Sequence, residues 1–282
     1  WAIYIIRNTY FILTKKRAIS VAPKQQIKLY IFLKILFYVI IFAIKFYGNI
    51  FYMKSNLISF IKGKNESIHT TQTIYIASIF SIIGGFVDSY TYITRDGVFA
   101  YAQTGNIIFF AMNIAKRNFF EAIHYLISIF VFVIGIWFAL YIKKILNKKK
   151  LMELEYVVIL INAIILFIVG ILPEKLFDSL VISFIAFMSG ILMITFNRVE
   201  GLAYVTNMCT GNLRSASENF FKFLFNKDKT GLKNGLIYLS ILLCFMFGAF
   251  FGSLFTNILG TKSIWIASGL LLIVESLMFF DN

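Results

Sequence analysis

A chain of 282 residues that is 60% hydrophobic, 18% aromatic and only 14% charged has too little polar sequence to clothe a soluble globule, and its composition points to an all-α polytopic membrane protein. The formal net charge of +14 does not signal nucleic acid, because the basic residues sit in the gaps between apolar runs instead of being interleaved on a polar face. Cys209 and Cys244 lie in apolar surroundings without metal-ligand spacing, which argues for packing residues and against a disulfide or a zinc site.

Residues 1–66 read as an N-terminal extension. It opens on Trp1, contains no methionine before Met53, and is rich in Ile, Phe, Tyr, Lys and Asn without clear periodicity. The part upstream of Met53 is expected to be non-native, a read-through of AT-rich DNA, with Met53 as the start. The competing reading is a further membrane helix from Tyr30 to Tyr47, in which Lys34 and Lys45 snorkel or face protein.

Beyond Ile68 the apolar runs come as four segments, twice. A first membrane repeat, 67–173, holds Ile74 to Ile93, Val98 to Ala115, Tyr125 to Ile142 and Tyr156 to Leu172. A second, 174–282, holds Leu180 to Phe196, Leu202 to Phe225, Leu236 to Ile258 and Ile264 to Phe280. Six of these are long and clean enough to cross roughly 30 Å of hydrocarbon as helices of about 20 residues. The second and sixth are not, since Val98 to Ala115 carries Gln103, Thr104, Asn106 and Asn113, and Leu202 to Phe225 carries Thr206, Asn207, Arg214, Ser215, Ser217, Glu218 and Asn219. Lipid rejects such side chains, so both segments require protein or water around them.

Basic residues decide between topologies. With the second and sixth segments re-entrant or broken, Lys54, Lys62, Lys64, the cluster Lys143, Lys144, Lys148, Lys149 and Lys150, Arg198, Lys222, Lys227, Lys229 and Lys233 share one side. They number thirteen, against five on the other: Arg95, Lys116, Arg117, Lys175 and Lys262. With eight crossings the count is ten against eight and the five-lysine cluster falls outside, so the positive-inside bias favours the re-entrant form. Three crossings per repeat place the second copy upside down relative to the first. The fold expected is therefore two repeats of three transmembrane helices plus one re-entrant or broken helix, inverted about an axis in the membrane plane.

The duplication is explicit in residues. Thr104-Gly105-Asn106 recurs as Thr210-Gly211-Asn212, and Gly84 aligns with Gly190 at the same separation of 106 residues. Threonine suits an N-cap, glycine a permissive backbone, and asparagine both donates and accepts, so each tripeptide fits the start of a half-helix with free N–H groups facing a cavity. The alternative is that Gly105 and Gly211 allow close helix crossings tied by Thr and Asn.

Asp88, placed after Gly84-Gly85 inside a crossing, costs roughly 2.5 to 3.5 kcal/mol on insertion scales. It suits a coupling proton or cation, or a structural pairing with Arg95. Arg214 and Glu218 are four apart and fit a helix-face pair, or Arg214 an anion path beside Asn212. Gly135 with Ala139, and Gly248 with Gly252, read as helix contacts within one chain or between two, which leaves a homo-oligomer open.

Gly84-Gly85-Phe86-Val87-Asp88, Thr104-Gly105-Asn106, Ser189-Gly190 and Thr210-Gly211-Asn212 together resemble the marks of the YoaK-like bacterial membrane proteins, a domain of unknown function, from about Ile68 to the C-terminus. The resemblance implies a six-span inner-membrane protein and supplies no substrate. The chain departs from that pattern at Leu192-Met193, where a Gln-Asn pair is expected.

These readings favour a secondary transporter for a small solute or ion, with a midplane site built from Asp88, Thr104, Gly105, Asn106, Thr210, Gly211, Asn212 and Arg214, and with Gly84, Gly85 and Gly190 at helix breaks or contacts. The expected partners are the lipid bilayer and that solute, with no nucleic acid, metal or cofactor. The alternative is a non-transporting membrane scaffold or assembly factor. No HExxH, GxSxG or phosphate loop points to an enzyme.

Overall fold

The computed structural model describes residues 72–146, 148–173, 178–206 and 209–280, all within one compact unit, Ser67–Asn282. The expectations about Met53, Tyr30 to Tyr47 and the residues before Ser67 lie outside the described residues.

The described chain is helical, as an all-α membrane protein requires. Its helices are α1 Ile74–Thr94, α2 Gln103–Ala115, α3 Phe119–Ile145, α4 Lys148–Val169, α5 Asp178–Thr195, α6 Cys209–Asn226, α7 Lys229–Leu259 and, after a 3-10 turn at Gly260–Ile264, α8 Trp265–Phe280. Between α5 and α6 two short strands, β1 Arg198–Val199 and β2 Leu202–Ala203, pair antiparallel with Val199 opposite Leu202.

Among the described residues, four helical stretches are long and apolar enough to cross a membrane: 74–94, 119–145, 178–195 and 229–278, the last holding α7 and α8. The helix Leu154–Val169 is apolar but shorter. Neither α2 nor α6 is among them, which agrees with the polar residues read in both. Large apolar side chains stand outward, among them Phe130, Trp137 and Tyr141 on α3, Ile161 and Phe167 on α4, and Met246 and Phe250 on α7. So much exposed apolar surface is tolerable only against lipid.

Turn chemistry sets the breaks. Asp96 and Gly97 both take positive φ, 53° and 69°, and end α1; Glu200 and Gly201, at 48° and 79°, make the turn of the β1–β2 hairpin. Two successive left-handed residues form the tight turn whose twist matches a hairpin, a conformation that favours glycine. The link from α2 to α3 passes through left-handed Arg117 and that from α6 to α7 through left-handed Lys227. Asp228 then caps α7, its carboxylate accepting from Thr230 N at 2.9 Å.

Packing joins distant parts of the chain: α1 lies against α7, and α5 against α3. Further pairs are α2 with α3, α6 with α7, α4 with α8, α1 with α8, and α4 with α5. Glycines permit the two closest crossings. A Cβ on Gly85, Gly248 or Gly252 would overlap the backbone of Phe245, Ile82 or Phe86 between α1 and α7, and one on Gly135 or Gly190 that of Phe187 or Phe132 between α3 and α5. Gly84 is buried beside Gly85 in α1. Lys143, in the last turn of α3, donates to the carbonyl of Ile194 near the end of α5, so one lysine of the cluster is fixed to protein.

Candidate functional site

The segment between α1 and α2 is irregular backbone held inside the bundle, fixed by a few backbone bonds such as Val98 N to Arg95 O at 3.2 Å and by nearby side chains. Asp88 Oδ1 accepts from Tyr101 N at 2.8 Å and Ala102 N at 3.2 Å. Thr91 Oγ1 accepts from Ala100 N at 3.2 Å. Asn106 clamps Phe99, its Oδ1 accepting from Phe99 N at 3.0 Å and its Nδ2 donating to Phe99 O at 2.5 Å. The same amide nitrogen also reaches Gln103 Oε1 at 2.9 Å and Ser128 Oγ at 3.2 Å. Buried backbone polar groups require such partners. The Phe99 ring stacks on Tyr92 at 5.0 Å and Phe109 at 6.2 Å, which fixes the loop laterally.

The second tripeptide repeats the clamp. Asn212 Oδ1 accepts from Val205 N at 3.2 Å and its Nδ2 donates to Val205 O at 2.8 Å. Each asparagine thus grips the residue seven positions before it. Thr206 Oγ1 donates to Phe196 O, and Tyr238 OH donates to Ala203 O at 2.6 Å, so the second loop is tied to the end of α5 and to α7.

The tripeptides therefore divide their residues between two environments. Asn106 and Asn212 are buried, while Thr104, Thr210 and Gly211 are exposed and Gly105 is half-buried. Helix α2 begins at Gln103, one residue before Thr104, with Ala102 at the N-cap and no side-chain cap. Thr104 consequently does not play the expected capping part; Asp88, reaching over from α1, accepts instead from Tyr101 N and Ala102 N, just before the helix. Arg214 is exposed and pairs with Glu218 at 2.7 Å, away from the buried set. A Cβ on Gly211 would meet nothing within 4 Å.

Asp88 is the unusual member. Its side chain is 4% exposed, and while Oδ1 takes two backbone N–H groups, Oδ2 has no hydrogen-bond partner. Arg95 does not pair with it. That guanidinium, 0% exposed, instead meets Asp178 Oδ1 at 2.7 Å, Pro173 O at 2.9 Å, Leu172 O at 3.0 Å and Tyr90 OH at 3.2 Å. One arginine thereby joins the end of α1 to the end of α4 and the start of α5. Asp88 itself lies within electrostatic reach of Cys209 at the start of α6, so the N-terminal ends of both short helices approach the same stretch of α1.

Sequence reasoning missed the supporting cast: Thr91, Ser128 and Asn162, and the Arg95–Asp178 pair. A lone polar residue inside an apolar run, as in Ile127-Ser128-Ile129 and Ile161-Asn162-Ala163, is the signal that marks two of them. Asn162, fully buried in α4, donates to Tyr101 OH at 3.5 Å and keeps Oδ1 without a partner.

Among the described residues, space beside these groups is small. A crevice of about 150 Å³, too tight to admit a water, is lined by Ser81, Thr206, Cys209, Asn212, Ile241, Leu242 and Phe245. A shallow open groove runs along α6 past Glu218, Phe221 and Lys222. No group of three or more His, Cys, Asp or Glu among the described residues is placed to hold a metal ion.

Residues 76–277, most of the chain, match the model of the family described as "Protein of unknown function (DUF1275)". Neither a curated protein nor a solved structure matches the chain.

Proposed function

We propose, for a chain that belongs to the DUF1275 family of proteins of unknown function, a role as a multi-pass permease of the bacterial inner membrane that moves a small solute or ion without catalysing a reaction. The observation that carries the proposal is the pair of identical clamps: Asn106 on Phe99 and Asn212 on Val205 stand 106 residues apart in both members, each at the start of a helix that is not among the membrane-crossing ones. Helix pairing supports a duplicated architecture. Exchanging α1 with α5, α2 with α6, α3 with α7 and α4 with α8 converts α1–α7 into α5–α3, α2–α3 into α6–α7 and α1–α8 into α5–α4, and leaves α4–α8 unchanged.

In that reading the halves are inverted repeats, and the interrupted helices α2 and α6 present backbone donors and a positive helix end toward the interior. The asparagines position those helix ends; the exposed Thr104, Thr210 and Gly211 are the groups free to touch a solute. A thermal-shift screen of purified protein against a solute library tests this. A stabilising solute should shift wild type more than T104V or T210V, with the ligand-free melting temperatures alike. Equal shifts in all three proteins would sink the site.

A second reading, a non-transporting scaffold or assembly factor, is favoured by one observation: among the described residues the α1–α7 and α3–α5 contacts close on glycine, and the crevice at Asn212 reaches only the second tripeptide.

A further inference from the structure

We infer that Asp88 is a proton-binding site, its carboxyl protonated on Oδ2 in this packed arrangement and ionised when the segment 95–102 moves and water reaches the start of α2. The argument begins with what surrounds the group. Oδ1 is held by two backbone N–H groups at the head of a 13-residue helix, and Oδ2 is buried with no partner. An ionised oxygen in that position is a buried, unneutralised charge, whereas a proton on it removes most of the penalty.

Among the described residues, no cation forms an ion pair with the group. The ionisable groups facing Asp88 are Tyr101 in the loop before α2 and Cys209 at the start of α6. From α7 the neighbouring surface of α1 meets Phe245, Ala249, Gly252 and Phe255, none of which ionises. From the 3-10 turn and α8 the ionisable groups are Lys262 and Glu275, neither of which forms an ion pair with it, and α2 carries no ionisable residue. Arg95, seven residues on, is committed to Asp178.

A proton fits better than a metal cation because it requires no ligand set. A calcium ion takes six or more oxygens, whereas Oδ2 has no hydrogen-bond partner and, among the described residues, no group of three or more His, Cys, Asp or Glu is placed to hold a metal ion. The step balances simply: the O–H bond at Oδ2 breaks, the electron pair stays on the carboxylate, and the proton passes to an entering water. The released carboxylate binds the Tyr101 and Ala102 N–H groups more strongly than the acid does, so the charge state of one residue sets how firmly the head of α2 is held. The inference rests on the permease reading only for what the proton drives; proton binding itself needs no solute to be measured.

Infrared difference spectra of the purified protein in liposomes, titrated from acid to alkaline pH, test it. Wild type should lose a protonated-carboxyl C=O band as the pH is raised, and D88N should lack that band. D88E, which keeps the acid on a longer stem, should show the band at a shifted frequency, and it decides the matter where D88N does not fold. A band unchanged in D88E, or spectra of wild type and D88N that superimpose, would overturn the assignment. Replacing choline chloride by sodium chloride should leave the midpoint in place; a midpoint lowered by sodium would make Asp88 a cation site and refute the inference. Failure of the solute screen with this band intact would remove the permease and leave the proton site standing.

Discussion

Methionine in place of Arg95 removes the one side chain that bridges the ends of α1 and α4 and the start of α5. The guanidinium is fully buried and its partner Asp178 is 4% exposed, so truncation takes a close ion-pair partner from a carboxylate inside the protein. Breaking a buried pair in this way costs about 3–5 kcal/mol. The carbonyls of Leu172 and Pro173, held at 3.0 and 2.9 Å, lose their donor as well, which places R95M toward the upper end of that range. About 4 kcal/mol is roughly a thousandfold change in the unfolding equilibrium. D178N retains a neutral acceptor and should lose about 1.5–3 kcal/mol. In R95M/D178N the residue that lost its arginine is neutral, so the double variant should be less destabilised than the two single losses added, by about 1–3 kcal/mol. Unfolding of purified protein by sodium dodecyl sulfate in mixed micelles, followed by the fluorescence of Trp265 stacked on Phe167 at 5.5 Å, measures all three. Single losses under about 1 kcal/mol, or strict additivity, would refute the claim that this pair joins the ends of α1 and α4 to the start of α5.

The glycines and asparagines yield sharper contrasts in the same assay. G248A drives a Cβ into the carbonyl of Ile82 and should cost about 1–3 kcal/mol, whereas G211A, on an open helix surface, should be neutral or stabilising by up to about 1 kcal/mol. Equal effects would place both glycines outside the contacts described. N106L and N212L should each destabilise by about 1–3 kcal/mol for every backbone group of Phe99 or Val205 left unpaired, with membrane insertion preserved. Unchanged unfolding midpoints would show that neither clamp holds its loop.

The helices were legible because hydrophobic runs in a membrane chain are bounded by the same residues that bound helices. The run read as Ile74 to Ile93 is the helix Ile74–Thr94, and Ile264 to Phe280 contains Trp265–Phe280. Several helices begin before their runs, and the two that begin well inside them are informative. Val98 to Ala102 and Leu202 to Thr206 are apolar enough to extend a run, yet they lie outside α2 and α6, because Asn106 and Asn212 bind backbone seven residues upstream and hold it open. A side chain that bonds its own upstream backbone leaves no period in the sequence. Asp88 was visible as an acid in an apolar run, but its partners, the N–H groups of Tyr101 and Ala102, belong to every residue alike and carry no signature. Arg95 and Asp178 stand 83 positions apart, each at the edge of a run, where a charge ordinarily means a solvated loop. Counting Arg95 among the outward loop charges is therefore corrected: it is a buried residue and should not enter a charge bias at all.

That correction sharpens the topology test, since the positive-inside argument then rests on thirteen basic residues against four. The two short helices decide the outcome. If α2 and α6 enter and leave on one face, the turn after α2 at Asn118 and the turn after α6 at Lys227 lie on opposite sides of the membrane; if all eight helices cross, they lie on the same side. Both residues are exposed, and each follows or occupies a left-handed turn position, so either accepts a cysteine without disturbing a packed core. With Cys209 and Cys244 replaced by serine, N118C and K227C in intact cells should differ in reaction with a membrane-impermeant maleimide, N118C labelling from outside and K227C only after permeabilisation. Labelling of both from the same side would remove the inverted arrangement. The helix exchange seen in the packing would then have to arise from two copies oriented alike, and a site framed by opposed half-helices would go with it.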